Sequence, residues 1–165
     1  MNSKKITKIL FLFYLTGLTW IILFKMQVSL KNLPELRNIN LIPFEQSAIV
    51  NGTIDFDEIL GNLLAFVPFG IFMGILLEKE TFLIKTAPVF FTSLAFESAQ
   101  YIFAIGASDI TDLFMNTAGG ILGIVLFTLL SKLFKARTVK IFNSICLAGA
   151  VFMSLFIGII LIVNL

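Results

Sequence analysis

The chain has 165 residues, of which 58% are hydrophobic and 13% charged; 19 are Phe, the mean hydropathy is +1.01 and the formal net charge is +2. This composition excludes an ordinary soluble domain and predicts an integral membrane protein. With no histidine and one cysteine, Cys146, the chain also excludes an internal disulfide framework, a histidine-based zinc site and a Ser-His or Cys-His relay.

Five apolar stretches approach the roughly 20 residues that a bilayer-crossing helix needs, at about 6–26, 59–77, 82–105, 113–134 and 141–163. They predict an all-α membrane protein, one compact five-helix bundle in which 1–165 form a single integral membrane domain. The first stretch is too long for the apolar core of a signal peptide and no A-x-A site follows it, so it reads as an uncleaved anchor. Cys146 lies in the last stretch and reads as inert packing.

Orientation follows from the basic residues. Lys4, Lys5 and Lys8 precede the first helix, Lys79 and Lys85 flank the turn after the second, and Lys132, Lys135, Arg137 and Lys140 fill the turn after the fourth. The opposite side has Lys25, Lys31 and Arg37 against Glu35, Glu45, Asp55, Asp57, Glu58, Asp109 and Asp112. The amino terminus is therefore predicted inside and the carboxyl terminus outside. The one large exterior segment, about 27–57, is broken by Pro34, Pro43, Asn51 and Gly52. Within it, Asn40-Leu41-Ile42-Pro43-Phe44 is apolar enough to rest on the bilayer or to fold back over the helices.

The second and fourth stretches open on the same polar pattern. Asp55, Glu58 and Asn62 recur as Asp109, Asp112 and Asn116, and their offsets put each trio on one helix face. The acids have the spacing of an N-cap and a third-position capping partner, which is one complete account of Asp55 and Asp109. Asn62 and Asn116 lie about 6 Å deeper, Glu97 about 12 Å and Gln100 about 8 Å below the exterior end of the third helix. These four residues are expected to gather in one outer-leaflet pocket, or to serve as interhelical hydrogen bonds. Glu97 stands out because an acid in hydrocarbon needs a partner. A neutral, protonated form hydrogen-bonded to Gln100, Asn62 or Asn116, a divalent cation shared with Asp112, and a cationic ligand group are all open to it.

Gly70 with Gly74, and Gly119 with Gly123, have the GxxxG spacing of close helix contact, and Gly120 and Gly123 share a face with Asn116. The second and fourth helices are predicted to touch. Pro68 should kink the second helix by removing the hydrogen bond to the Leu64 carbonyl. The chain carries neither GxxxxGK(S/T) nor GxGxxG, so no nucleotide cofactor is implied, and its basic residues fit orientation and anionic lipid better than nucleic acid.

The ordered set Asn40-Leu41-Ile42-Pro43-Phe44, Asn62, Phe66-Val67-Pro68-Phe69-Gly70, Glu97-Ser98-Ala99-Gln100, Asp109-Ile110-Thr111-Asp112 and Asn116-Thr117-Ala118-Gly119-Gly120 resembles the VanZ-like family of small bacterial membrane proteins. The motifs run over about 40–123, roughly half of the chain. The resemblance implies an envelope role linked to low-level resistance to teicoplanin, a lipoglycopeptide antibiotic. It marks Asn62, Pro68, Glu97, Gln100, Asp109, Asp112 and Asn116 without assigning catalysis to any of them. Where the family pattern has a basic residue just before the Asp pair, this chain has Gly106-Ala107-Ser108, a departure that bears on ligand charge.

Three functions follow as expectations. The first is a non-enzymatic factor whose acidic pocket, formed by Asn62, Glu97, Gln100, Asp109, Asp112 and Asn116, engages a lipid-linked envelope precursor, a lipoglycopeptide or another lipid-like molecule. The second is an intramembrane enzyme with Glu97 as base, or with Glu97, Asp109 and Asp112 around a divalent cation; against it stands the lack of a nucleophile, a histidine or an exterior Arg/Lys cluster. The third is a small transporter or assembly partner. No metal or cofactor is expected outside the enzyme reading, and membrane lipids are the expected surroundings.

Overall fold

The computed structural model describes residues 3–24, 36–44, 49–50, 53–54, 56–135 and 137–163. Five long helices dominate it: α1 (Ser3–Phe24), α2 (Phe56–Leu76), α3 (Phe82–Phe103), α4 (Ile110–Phe134) and α5 (Arg137–Val163). Four of them, α1, α2, α4 and α5, are long and apolar enough to cross a membrane. α3 has 22 residues, about 33 Å at the helical rise, but carries more polar side chains. It runs from the turn after α2 back to the end at which α2 and α4 begin.

α2 and α4 begin about three residues earlier than hydropathy predicted, because their first turns carry the acids Asp57, Glu58 and Asp112. Acids there complement the free N–H groups and the dipole, so the helix begins before the apolar run does. The described segments between helices add two small sheets to the predicted all-α architecture. β1 (Leu36–Asn40) pairs in parallel with β4 (Ile105–Asp109), setting Leu36 opposite Ile105 and Asn40 opposite Asp109. β2 (Ile49–Val50) and β3 (Thr53–Ile54) form a short antiparallel pair. The expected third helix through residue 105 therefore ends earlier. Ala104 adopts the left-handed conformation (φ 54°) and turns its N–H to the Gln100 and Tyr101 carbonyls, and the next residues extend as β4.

The tightest packing joins α2 to α4. A Cβ on Gly123 would collide with the Val67 carbonyl and lie 2.9 Å from Ile71 N. One on Gly119 would collide with the Leu63 carbonyl, and one on Gly70 with that of Gly120. Backbone thus meets backbone, as small-residue membrane interfaces allow. Gly120 faces Val89 of α3, and Gly74 faces the Phe127 ring. On the other side of α2, Phe66, Phe69, Phe72 and Met73 pack with Leu10 and Leu18 of α1 and with Val89 and Phe96 of α3 in one buried cluster.

α5 joins the bundle more loosely, near its start. Thr7 and Asn143, both buried, exchange hydrogen bonds: the hydroxyl donates to Asn143 Oδ1 at 3.1 Å and accepts from Asn143 Nδ2 at 3.0 Å. At the same end Lys4 and Glu78 form an exposed ion pair at 4.0 Å, worth little to stability, and Lys85 donates to the Glu78 carbonyl at 3.0 Å. The basic clusters used to orient the chain lie at this end, opposite the sheet of β1 and β4.

Candidate functional site

The residues singled out in the sequence collect where α3 ends, β4 returns and α4 begins. Ser93, Glu97 and Gln100 are spaced i, i+4, i+7 and share one face of α3; all three are buried. Glu97 Oε2 accepts the Asp109 backbone N–H at 2.8 Å. Asp109 caps α4, its Oδ1 accepting the Thr111 N–H at 2.7 Å, as the N-cap reading expected. In a capping box the third-position acid would take the N-cap N–H. Here an acid from another helix takes it, and Asp112 Oδ1 instead accepts from Asn62 Nδ2 of α2 at 2.6 Å. The first repeat thus meets the second through Asn62 and Asp112.

The segment 40–44 is fastened to the same helix start. Asn40, opposite Asp109 across the strand pair, donates to both Asp109 carboxylate oxygens at 3.3 and 3.4 Å and accepts the Ile42 N–H at 3.1 Å. Thr111 Oγ1 accepts the Phe44 N–H at 3.0 Å, and Phe44 is held at φ 61°. A left-handed phenylalanine is an unusual conformation that its surroundings must impose. Leu41, Ile42, Pro43 and Phe44 are exposed, as a segment resting on a bilayer surface would be.

Among the described residues the four deeper polar groups are not hydrogen-bonded to one another, and their amides serve interhelical bonds instead. Gln100 Nε2 donates to the Ile22 carbonyl of α1 at 3.2 Å, and Asn116 Nδ2 to Ser93 Oγ at 2.9 Å. Because a backbone carbonyl accepts only from the NH₂ group, the Gln100 contact fixes the direction of its amide oxygen. Three buried side-chain oxygens, Glu97 Oε1, Gln100 Oε1 and Asn116 Oδ1, have no hydrogen-bond partner among the described residues. Each such group costs about 1–3 kcal/mol of desolvation and calls for an explanation. The two amide oxygens are acceptors, and Glu97 Oε1 is a third when its carboxyl is ionised, so a donor group would satisfy them.

No group of three or more His, Cys, Asp or Glu side chains among the described residues is arranged to hold a metal ion. Glu97, Asp109 and Asp112 nonetheless share one end of the bundle. Asp55 lies outside the described residues, so its predicted cap on α2 does too. Glu58 is exposed in the first turn of α2, apart from the buried group. Pro68 lies inside a continuous α2, and the Tyr14 hydroxyl donates to the nearby Ala65 carbonyl at 2.6 Å.

Ser93, Asn40 and Thr111 do not stand out in the sequence as site residues, yet each holds one that does. Ser93 lay open to detection as the residue one turn before Glu97 on its face. Asn40 and Thr111 lay inside quoted motifs, but their partners depend on the strand pair, which no local pattern announced.

The sequence profile of the VanZ/LLP1 family matches residues 11–134, from the first turns of α1 to the end of α4. Protein VanZ of Enterococcus faecium is 39% identical over 132 residues, which cover 79% of this chain and 78% of that protein. No solved structure matches the chain.

Proposed function

The chain belongs to the VanZ/LLP1 family, and from that premise we propose that it is a multi-pass protein of the bacterial cytoplasmic membrane that lowers susceptibility to teicoplanin by engaging a lipid-like molecule. The amino terminus is inside, the carboxyl terminus is outside, and the chain acts as one membrane domain. The site is the outer-leaflet end of the bundle, formed by Glu97, Gln100 and Asn116 with Asn62, Asp109 and Asp112 around them. The molecule engaged is amphiphilic, a lipoglycopeptide or a lipid-linked envelope precursor, and no chemical conversion is required.

One observation carries this reading: three buried side-chain oxygens without a partner among the described residues, Glu97 Oε1 and Gln100 Oε1 on α3 and, about a turn deeper beside Ser93, Asn116 Oδ1 on α4. A head group with amine or amide donors satisfies acceptors that apolar helices cannot. The buried Glu97 carboxyl also has no ion pair among the described residues, so a cationic donor would hold it in its ionised form and an amide donor would suit its carbonyl oxygen. Such a head group needs an apolar tail to reach this depth, which fits teicoplanin, with its acyl chain, rather than vancomycin.

The test compares teicoplanin with vancomycin susceptibility in a Gram-positive host expressing wild type, Glu97→Gln or Asn116→Leu at matched membrane abundance. Protection against teicoplanin alone, lost in both variants, is the expected result. Equal protection by wild type and both variants would assign the cluster to folding alone.

A further inference from the structure

We propose that the groove between α1, α2 and α5 seats the single acyl chain of the amphiphile whose head group lies at Glu97 and Gln100. This inference rests on the reading of that cluster as a head-group site, and it names where the tail goes. Leu10, Tyr14, Gly17 and Ile21 of α1, Pro68 of α2 and Gly149 of α5 line the groove, which encloses about 310 Å³.

Its chemistry is that of a hydrocarbon slot. No lining side chain is charged, and the Tyr14 hydroxyl spends its proton on the Ala65 carbonyl at 2.6 Å. Nothing is left there to bind a polar group. Its length also suits a tail, because Leu10 to Ile21 is eleven residues of helix, about 16 Å, close to half of the roughly 30 Å hydrocarbon thickness.

Volume decides among occupants. A rod about 16 Å long and about 4.5 Å wide, one alkyl chain at van der Waals spacing, displaces about 250 Å³. A helix of that length, about 10 Å wide, displaces more than about 1,200 Å³. The groove therefore matches the volume of one chain, about a quarter of what a whole helix displaces. It also ends in the right place: Ile21, its uppermost lining residue on α1, adjoins Ile22, whose carbonyl accepts from Gln100 of the polar cluster. The upper end of the slot on α1 thus lies one residue from a contact of the head-group site. The slot stays open because Gly17 and Gly149 face empty space, a Cβ on either meeting nothing within 4 Å.

The probe is dodecylamine carrying a mid-chain diazirine, photolysed with the full-length protein in phosphatidylcholine nanodiscs and mapped by mass spectrometry. Wild type should label saturably along Gly17–Ile21 and Cys146–Met153. Gly17→Leu and Gly149→Leu, which fill the slot without meeting a neighbour, should each lower that labelling at least about tenfold by displacing two or more buried methylenes. Labelling at the exposed Leu129 and Leu133 of α4 should not change. Even labelling over all exposed apolar residues, untouched by either leucine, would overturn the proposal. Glu97→Gln separates the two claims: persistent seam labelling upholds the groove even where unchanged teicoplanin protection has overturned the head-group reading. Absence of saturable seam labelling in wild type overturns the groove whatever the susceptibility result.

Discussion

Gly123→Ala should destabilise the bundle sharply, while Gly149→Ala should not. A methyl group at Gly123 collides with the Val67 carbonyl and comes within 2.9 Å of Ile71 N and 3.0 Å of Gly70 Cα, all backbone atoms that cannot rotate aside. Restoring ordinary contact separates α2 from α4 by about 1 Å, which stretches the Asn62–Asp112 hydrogen bond from 2.6 Å to about 3.6 Å, beyond bonding range. Overpacking of this kind costs about 1–3 kcal/mol and an interhelical hydrogen bond about 1 kcal/mol, together about 2–4 kcal/mol. At Gly149 a Cβ meets nothing within 4 Å, so alanine should be neutral or gain up to about 1 kcal/mol from helix propensity. The assay is reversible unfolding of the purified full chain in mixed micelles, followed by circular dichroism against denaturing detergent. Equal stability of the two variants would refute the claim that α2 and α4 are held backbone to backbone.

Other expectations follow from single contacts. Thr111→Val removes the acceptor of the Phe44 N–H, so hydrogen exchange at that amide should speed up by about tenfold, the equivalent of one hydrogen bond, with the helices unchanged. Thr7→Val and Asn143→Leu should each cost about 1–2 kcal/mol by leaving a buried partner unsatisfied, and the double variant should cost less than the two singles combined. Asp109→Ala should cost about 1 kcal/mol or more through loss of the α4 cap and of the Asn40 contacts, read by the same unfolding assay.

Much of the architecture was legible in the sequence because membrane helices announce themselves by length and hydropathy, and close packing by GxxxG spacing. The repeat of Asp-x-x-Asp/Glu with a deeper Asn marked Asn62 and Asp112 as candidates, but their pairing across α2 and α4 was not legible. The pairing of β1 with β4 was not legible. Its strands, Leu-Arg-Asn-Ile-Asn and Ile-Gly-Ala-Ser-Asp, lack an apolar alternation, and their register is set by Glu97, Asn40 and Asp109 meeting across 12 and 69 residues of sequence. The partners of the deep amides were hidden for the same reason. Gln100 turns to a backbone carbonyl of α1 and Asn116 to Ser93, choices that depend on which helix faces which. The loose seam along α1 and α5 carries no pattern at all, since glycines facing empty space look like glycines at a contact.

The central claim is that the buried acceptors of Glu97, Gln100 and Asn116 receive the head group of an amphiphile. Its most direct test is the binding of teicoplanin to the purified full-length protein in nanodiscs, compared between wild type and Gln100→Leu, with vancomycin as the tail-less control. The account predicts saturable teicoplanin binding weakened at least about tenfold by the substitution, the loss of one or more charge-assisted or neutral hydrogen bonds, and no saturable vancomycin binding. Equal teicoplanin affinity in the two proteins would contradict it.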